Sequence, residues 1–161
     1  MEYGSFAVSK WTMFSELQSK LDRIARTTAQ VMEMFANISP QDTLLKEVPL
    51  SLVISKEDAC QYLRTPFGDC RVRTGWRTSS AELEGQIIFE RNAVDATGNM
   101  MWEAIWGLNI PLYGDPYSGS GPRAVAIPLG HPDKGASEAA IFAALMSILY
   151  GIVNGPLLDT L

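Results

Sequence analysis

The chain has 161 residues, of which 47% are hydrophobic and 19% charged, and its formal net charge is −5. This composition is typical of one compact domain with a substantial core, and it excludes a disordered or fibrous chain. The acidic balance argues against general affinity for nucleic acid, although a local basic strip is compatible with it. We therefore expect one globular domain over residues 1–161.

The start of the chain and its cysteines indicate the cellular compartment. Residues 1–13 lack the basic segment and apolar run of a secretory signal, so we expect a cytoplasmic protein with reduced thiols at Cys60 and Cys70. These two cysteines have no partnering histidines, since His131 is the only histidine of the chain. The sequence therefore predicts no metal site and no cofactor.

A long amphipathic helix is predicted near the amino terminus. Its apolar residues from Phe14 to Ile38 are separated by three and four positions in alternation, as in a heptad repeat. Such a stripe can pair with another subunit as a coiled coil, or it can pack on the chain's own sheet. Its later flanking positions include Ala25 and Met32 instead of charged residues, which favours packing on its own domain. The stripe residues that we assign to a possible subunit contact are Phe14, Leu17, Leu21, Ile24 and Val31.

One short element is predicted before this helix and two are predicted after it. Tyr3 to Val8 is compatible with a brief edge strand, and the apolar run Val48 to Ile54 is compatible with a buried or edge strand. Ser55 to Asp58 has the composition of a capped helix start. The helix that follows would turn Tyr62 and Leu63 towards the core.

Asp69 to Leu108 predicts three antiparallel strands in a meander, because apolar residues recur there at every second position. In the first strand we expect Val72 and Trp76 to face the core. In the third strand we place Trp102 and Trp106 together on the buried face. Two indoles on one strand face need a large partner surface, so we expect helices across this sheet.

The last third of the chain combines a loop, a strand and an apolar helix. Tyr113 to Pro122 is rich in glycine and predicts a long loop, and Arg123 to Leu129 predicts an edge strand. Ala139 to Val153 predicts a helix that is apolar nearly all round. At about fifteen residues this helix is shorter than the roughly twenty needed to cross a bilayer, so we expect a core or contact helix and no membrane span. The contact residues that we assign to it are Phe142, Leu145 and Leu149.

Together these elements predict an α+β domain. Its mainly antiparallel sheet of four or five strands would consist of the meander and edge strands. The long amino-terminal helix and the apolar carboxy-terminal helix would pack against one face of this sheet.

Arginines form the clearest polar pattern. Arg71, Arg73 and Arg77 project from one face of the first meander strand. They could form a cationic surface for phosphate, nucleic acid or an acidic partner. The alternative, which we favour, is a solvated sheet face on which the arginines pair with nearby carboxylates. The acids available for pairing are Glu82, Glu84 and Glu90.

A second candidate anion site lies ahead of the last helix. Gly130 to Ser137 has the two glycines of a phosphate-binding loop, but Ala136 stands where that motif needs its lysine, so a nucleotide site is not favoured. A helix amino terminus flanked by Lys134 and Ser137 could still hold an anion. The alternative is that Ser137 simply caps the helix.

Because residues suited to catalysis are few and apolar helix surface is plentiful, the leading hypothesis is a non-enzymatic interaction or structural subunit that associates with itself. Its partner would be a second copy or another protein, and nucleic acid is not favoured. One alternative is a small-ligand site or an enzyme between sheet and helix, with the loop at 113–122 as a lid. The other is phosphate or nucleic-acid binding by the arginine face.

Overall fold

The computed structural model describes residues 3–37, 50–55, 57, 60–119 and 124–156, and for residues 3–10 it describes the backbone alone. The described residues form two helices and one seven-stranded sheet. The helices are α1 (Tyr3–Ala36) and α2 (Lys134–Asn154). The strands are β1 (Ser51–Ile54), β2 (Gln61–Thr65), β3 (Gly68–Ser79), β4 (Glu82–Val94), β5 (Met100–Ile110), β6 (Tyr117–Ser118) and β7 (Val125–Ala126).

All the strand pairs are antiparallel, and each strand pairs with the next one along the chain. The predicted α+β class and the meander are therefore confirmed. The sheet is curled and has seven strands instead of four or five, because β2 and β6 add short strands in segments predicted as helix and loop. The predicted strand at 48–54 is confirmed over β1, and its first two residues lie outside the described residues.

The helix predicted after Ser55 is wrong, because β2 occupies that part of the chain. Leu63 is buried on one side of β2, whereas Tyr62 packs against Trp102 on the other side. The Thr65 hydroxyl stabilises the tight turn into β3. It accepts a hydrogen bond from the Phe67 amide and donates one to the Gly68 carbonyl. A five-residue strand is too short for its alternation to outweigh a capping signal in the sequence.

The structure differs from the predictions in four further places. The edge strand at Tyr3 to Val8 is wrong, since α1 begins at Tyr3, and β6 lies inside the predicted loop at 113–122. The strand predicted at 123–129 is only the two-residue β7. The end of α2 is as predicted, with Gly155 as its carboxy-terminal cap, but α2 begins five residues earlier than predicted.

The earlier start gives α2 a length of 21 residues, so length no longer argues against a membrane span. By length and composition α2 could cross a bilayer, but 39% of its most apolar window is buried inside the structure. A core helix passes the same test, so this finding is weak support for a span.

A β-bulge in β5 separates the two tryptophans that were predicted to share a face. Phe89 pairs with Trp106, whereas the next residue of β4 pairs with Ala104, so Ile105 is the extra residue. Because the bulge shifts the alternation by one, Trp106 is fully buried and Trp102 lies on the opposite face of the sheet. The predicted placement of Trp102 in the core is therefore wrong.

The face that carries Trp106 is the face that the helices cover, and we call it the helix face. The Phe89 ring lies 5.6 Å from that of Trp106 and 5.5 Å from that of Phe35 in α1, measured between centroids. At the other end of the face, Ile105 packs against α2 at Gly151. Large side chains therefore fill the space between the sheet and both helices.

Close approach of α1 to β4 requires a glycine at position 85. A Cβ atom added to Gly85 would lie 2.5 Å from Cγ2 of Ile24, whereas one added to Gly75 on the neighbouring strand would meet no heavy atom of the described residues within 4 Å. We expect Gly85→Ala to lower the free energy of unfolding by about 1–3 kcal/mol, as for other overpacked cores. Gly75→Ala is the matched control and should change it by less than about 0.5 kcal/mol. Urea unfolding measures both, and equal effects would contradict this packing.

Cys70 lies on the helix face and is fully buried. Burial raises the pKa of its thiol to about 12, so at pH 8 only about one molecule in ten thousand carries the reactive thiolate. In a Cys60→Ser variant, we expect the remaining thiol to resist a disulfide reagent at pH 8 and to react fully in denaturant. Rapid labelling of the folded protein would show that β3 is not covered as described.

Candidate interaction surfaces

The amino-terminal half of α1 extends beyond the sheet that its carboxy-terminal half covers. Every side chain from residue 11 to residue 20 is exposed, and the first one buried after them is Ile24. We call residues 11–20 the arm. At 1.5 Å per residue, α1 is about 51 Å long and the arm accounts for about 15 Å of it. The chain therefore presents about three turns of helix that its own described core does not cover.

The arm is apolar on one side. Its large exposed residues include Trp11, of which 75% is exposed, and Phe14, of which 65% is exposed. Single exposed apolar residues are common, but a contiguous group of this size marks a contact surface. Most helical stability in proteins comes from packing of the apolar face, and this face has no packing partner among the described residues. The large apolar side chains of the arm are Trp11, Met13, Phe14 and Leu17.

The structure divides the predicted contact residues into two groups. Four of them pack in the chain's own core and are not open to a partner, which agrees with the favoured interpretation of the α1 stripe. Phe14 and Leu17 are exposed on the arm, while Leu21 and Phe142 are partly exposed. The four core residues are Ile24, Val31, Leu145 and Leu149.

A second uncovered apolar surface lies on α2, on the side away from the sheet. Its members follow one another at spacings of four and three residues, as in a heptad stripe, and all are exposed. We call this surface the α2 stripe. Sequence reasoning missed it because the buried positions of α2 are equally apolar, so that no polar face marks the outer side. The α2 stripe consists of Ala139, Ala143, Met146, Tyr150 and Val153.

The predicted arginine face lies on the side of the sheet opposite the helices, and its arginines pair with carboxylates as we favoured. Arg71 Nε and Arg73 Nε donate to the two carboxylate oxygens of Glu90, at 2.8 and 2.9 Å. Glu90 is buried although neither described helix covers it, because the two guanidinium groups enclose it. The Arg71 guanidinium also lies over the Trp102 ring, 4.7 Å from its centroid. This stacking explains why Trp102 is half-buried outside the core.

Arg77 belongs to a second polar group on the same face. Its guanidinium lies 3.5 Å from Glu84 and donates to the Asn109 side chain at 3.1 Å. Tyr117 donates its hydroxyl to Glu84, and burial together with this hydrogen bond raises the pKa of Tyr117. The three arginines thus face two carboxylates, so little net positive charge is left for an external phosphate.

The predicted anion site at the start of α2 contains a carboxylate of the chain itself. Asp133 caps the helix and accepts from the Gly135 amide at 2.8 Å. The prediction that Ser137 caps α2 is therefore wrong, since its hydroxyl donates to the Pro128 carbonyl instead. Lys134 is exposed at the first helical position. An anion at this helix end would meet the negative charge of Asp133.

Two buried polar atoms on or beside the helix face have no hydrogen-bond partner among the described residues. They are Nε1 of Trp106 and Oγ of Ser118. Ser118 lies in β6, and the other residue of this strand, Tyr117, pairs with Asn109 of β5. Buried polar atoms are normally paired, so a small polar molecule that reached either side-chain atom would gain a hydrogen bond.

Within the described residues, no group of three or more metal-ligating side chains forms a site. An open groove runs along α1, from the arm into the next turns, and is lined by Trp11, Phe14, Gln18 and Arg26 among others. Comparisons of the chain with protein-family models, curated proteins and solved structures found no match.

The Glu90 cluster can be tested by removing its charge. We expect Glu90→Gln to lower the free energy of unfolding by about 1–2 kcal/mol, because it leaves two arginines without their anion. The loss stays moderate because Arg73 is 53% exposed and water can replace part of the interaction. Glu82→Gln, at an exposed position of the same strand, is the control and should change stability by less than about 0.5 kcal/mol. Equal effects in urea unfolding would show that the ion pairs add nothing.

Proposed function

We propose that the protein is a non-enzymatic interaction subunit that associates with itself through the arm. One observation carries this proposal: side chains 11–20 are all exposed on a helix whose next turns, from Ile24 onwards, pack into the core. The apolar seam that holds α1 on the sheet thus continues past the sheet without cover. A surface of this kind is stabilised when a partner removes it from water, by about 25 cal/mol for each Å² of apolar area.

The charge of the arm is compatible with a second copy as the partner. The side chains from 11 to 20 include one acid, Glu16, and one base, Lys20, so that two arms do not repel each other strongly. The α2 stripe adds no charge either, since no charged residue lies between Glu138 and Asp159. Association would therefore depend on apolar contact and respond weakly to salt.

A small-ligand function has one observation in its favour. Two buried side-chain atoms have no hydrogen-bond partner among the described residues: Ser118 Oγ, in the glycine-rich segment that pairs with β5, and Trp106 Nε1 on β5 itself. The surrounding helix face, however, is filled by Phe35, Phe89 and other core residues. We therefore place this function second. The arginine face supports phosphate binding least, because its arginines already pair with Glu84 and Glu90.

The proposal predicts a dimer at micromolar concentration. Replacing Phe14 and Leu17 together by lysine should weaken association at least tenfold, which corresponds to about 1.4 kcal/mol or more. Lysine is a good helix former, so α1 should remain helical. Sedimentation equilibrium measures the dissociation constant, and circular dichroism checks the fold.

The matched control is Glu16→Lys, which places the same residue on the side of the arm away from the apolar face. It should leave the dissociation constant within about twofold of that of the unchanged protein, since exposed charge changes of this kind have small effects. A chain that stays monomeric at all concentrations, or a dimer that Phe14→Lys with Leu17→Lys does not weaken, would contradict the proposal.

A further inference from the structure

The arm needs a docking surface of matching length and character. We infer that the arm of one copy binds the α2 stripe of a second copy, and that the second arm binds the first copy's stripe in return. This inference rests on the proposed function, because it names the surface that receives the arm. Four observations on the two helices support it.

The shape of the arm's apolar surface favours a docking surface over a two-stranded seam. At 100° per residue, the residues from Trp11 to Leu21 spread their apolar side chains over an arc of about 160°. A coiled coil of two arms would cover only a narrow seam and would leave Trp11 and Met13 in water. The positions beside the seam also lack the opposite charges that align paired helices, since they hold Trp11, Met13, Gln18 and Lys20.

The α2 stripe is long enough to receive the arm, and the sizes of its side chains suit it. From Ala139 to Val153 it spans about 21 Å, against about 15 Å for the arm. Its first two members, Ala139 and Ala143, are small and allow a bulky side chain such as Trp11 to approach the helix closely. Its later members are larger, so the stripe offers a hollow at one end and a ridge at the other.

The area involved is adequate for a stable dimer only if both surfaces are used. Buried aromatic side chains cover about 150–250 Å² each, so the exposed parts of Trp11, Phe14 and Tyr150 come to roughly 400 Å² per copy. Two copies then contribute roughly 800 Å² from aromatic residues alone, and the exposed methionines, Leu17 and Val153 add to it. Stable interfaces bury about 1,200–2,000 Å² in total. Exchange of both arms meets this requirement, whereas two arms alone would leave both α2 stripes exposed.

The partner must be another molecule, because the arm cannot reach its own α2. Residues 3–36 form one continuous helix, and its second half is fixed on β4 and β5. The arm therefore projects away from the domain. A reciprocal contact of this type has two-fold symmetry, in which each copy supplies one arm and one stripe, and it closes without forming a fibre.

Mixing two variants tests the exchange directly. The arm variant carries Phe14→Lys with Leu17→Lys, and the stripe variant carries Met146→Lys with Tyr150→Lys, all at exposed or half-exposed positions. Each variant alone should be a monomer, with association weakened at least tenfold. In an equimolar mixture, heterodimers should form more tightly than either variant's homodimer and less tightly than the dimer of the unchanged chain, because one of the two arm–stripe contacts is intact. Glu16→Lys and Glu138→Lys are the matched controls and should dimerise like the unchanged chain.

The outcomes separate this inference from the proposed function. If the stripe variant dimerises normally while the arm variant is a monomer, the arms pair with each other, so the inference fails and the proposed function stands. If the arm variant dimerises normally while the stripe variant does not, α2 pairs with α2 and both fail. An unchanged chain that is monomeric, or that floats with anionic lipid vesicles as a monomer, also contradicts both. Two monomeric variants whose mixture associates no more tightly than either variant alone would overturn the exchange.

A covalent test covers the case in which a lysine variant fails to fold. In a Cys60→Ser background, one preparation carries Leu17→Cys and another carries Met146→Cys. Under mild oxidation, the mixture should form an intermolecular disulfide between the two preparations at least ten times faster than a mixture of Glu16→Cys with Met146→Cys. Equal rates in the two mixtures would overturn the inference.

Discussion

The bulge at Ile105 is the feature on which the arrangement of both helices depends. It lets two successive residues of β5 face the same side of the sheet, with Ile105 against α2 and Trp106 against the ring of Phe89. The two helices share the helix face, with α1 over Gly85 and Phe89 and α2 over Ile105.

Sequence patterns predicted the centre of the sheet and failed where the pattern is interrupted. Long alternation marked β3, β4 and β5, and strict three-and-four spacing marked α1. The bulge could not be predicted from the sequence. Trp102 and Trp106 are four positions apart, which places them on one face of a regular strand, and no residue type marks Ile105 as the extra residue that places them on opposite faces. The strands β2 and β6 are too short for alternation to outweigh the capping and turn residues beside them.

The candidate surfaces could be predicted only in part for a similar reason. A heptad stripe shows which side of a helix is apolar, but it does not show where the sheet beneath the helix ends. The packed half of α1, from Ile24 to Phe35, and the free half, around Phe14 and Leu17, therefore look alike in the sequence. On α2, Met146 and Tyr150 could not be told from the core residues beside them, because no charge marks the outer side. The pairing of Arg71 and Arg73 with Glu90 was predictable, since opposite charges stood on neighbouring strands.

The central claim is that the arm and the α2 stripe are uncovered in one copy and cover each other in two. Amide hydrogen exchange of the unchanged chain, followed by mass spectrometry at two protein concentrations, tests this claim most directly. A helix without packing opens and exchanges readily, whereas a docked helix is protected. We expect protection of residues 11–20 to rise as concentration increases, and protection of residues 139–153, which already pack on the sheet, to rise by less, while the exchange of β3 to β5 stays the same. Exchange of residues 11–20 that is independent of concentration across the micromolar range would contradict the account.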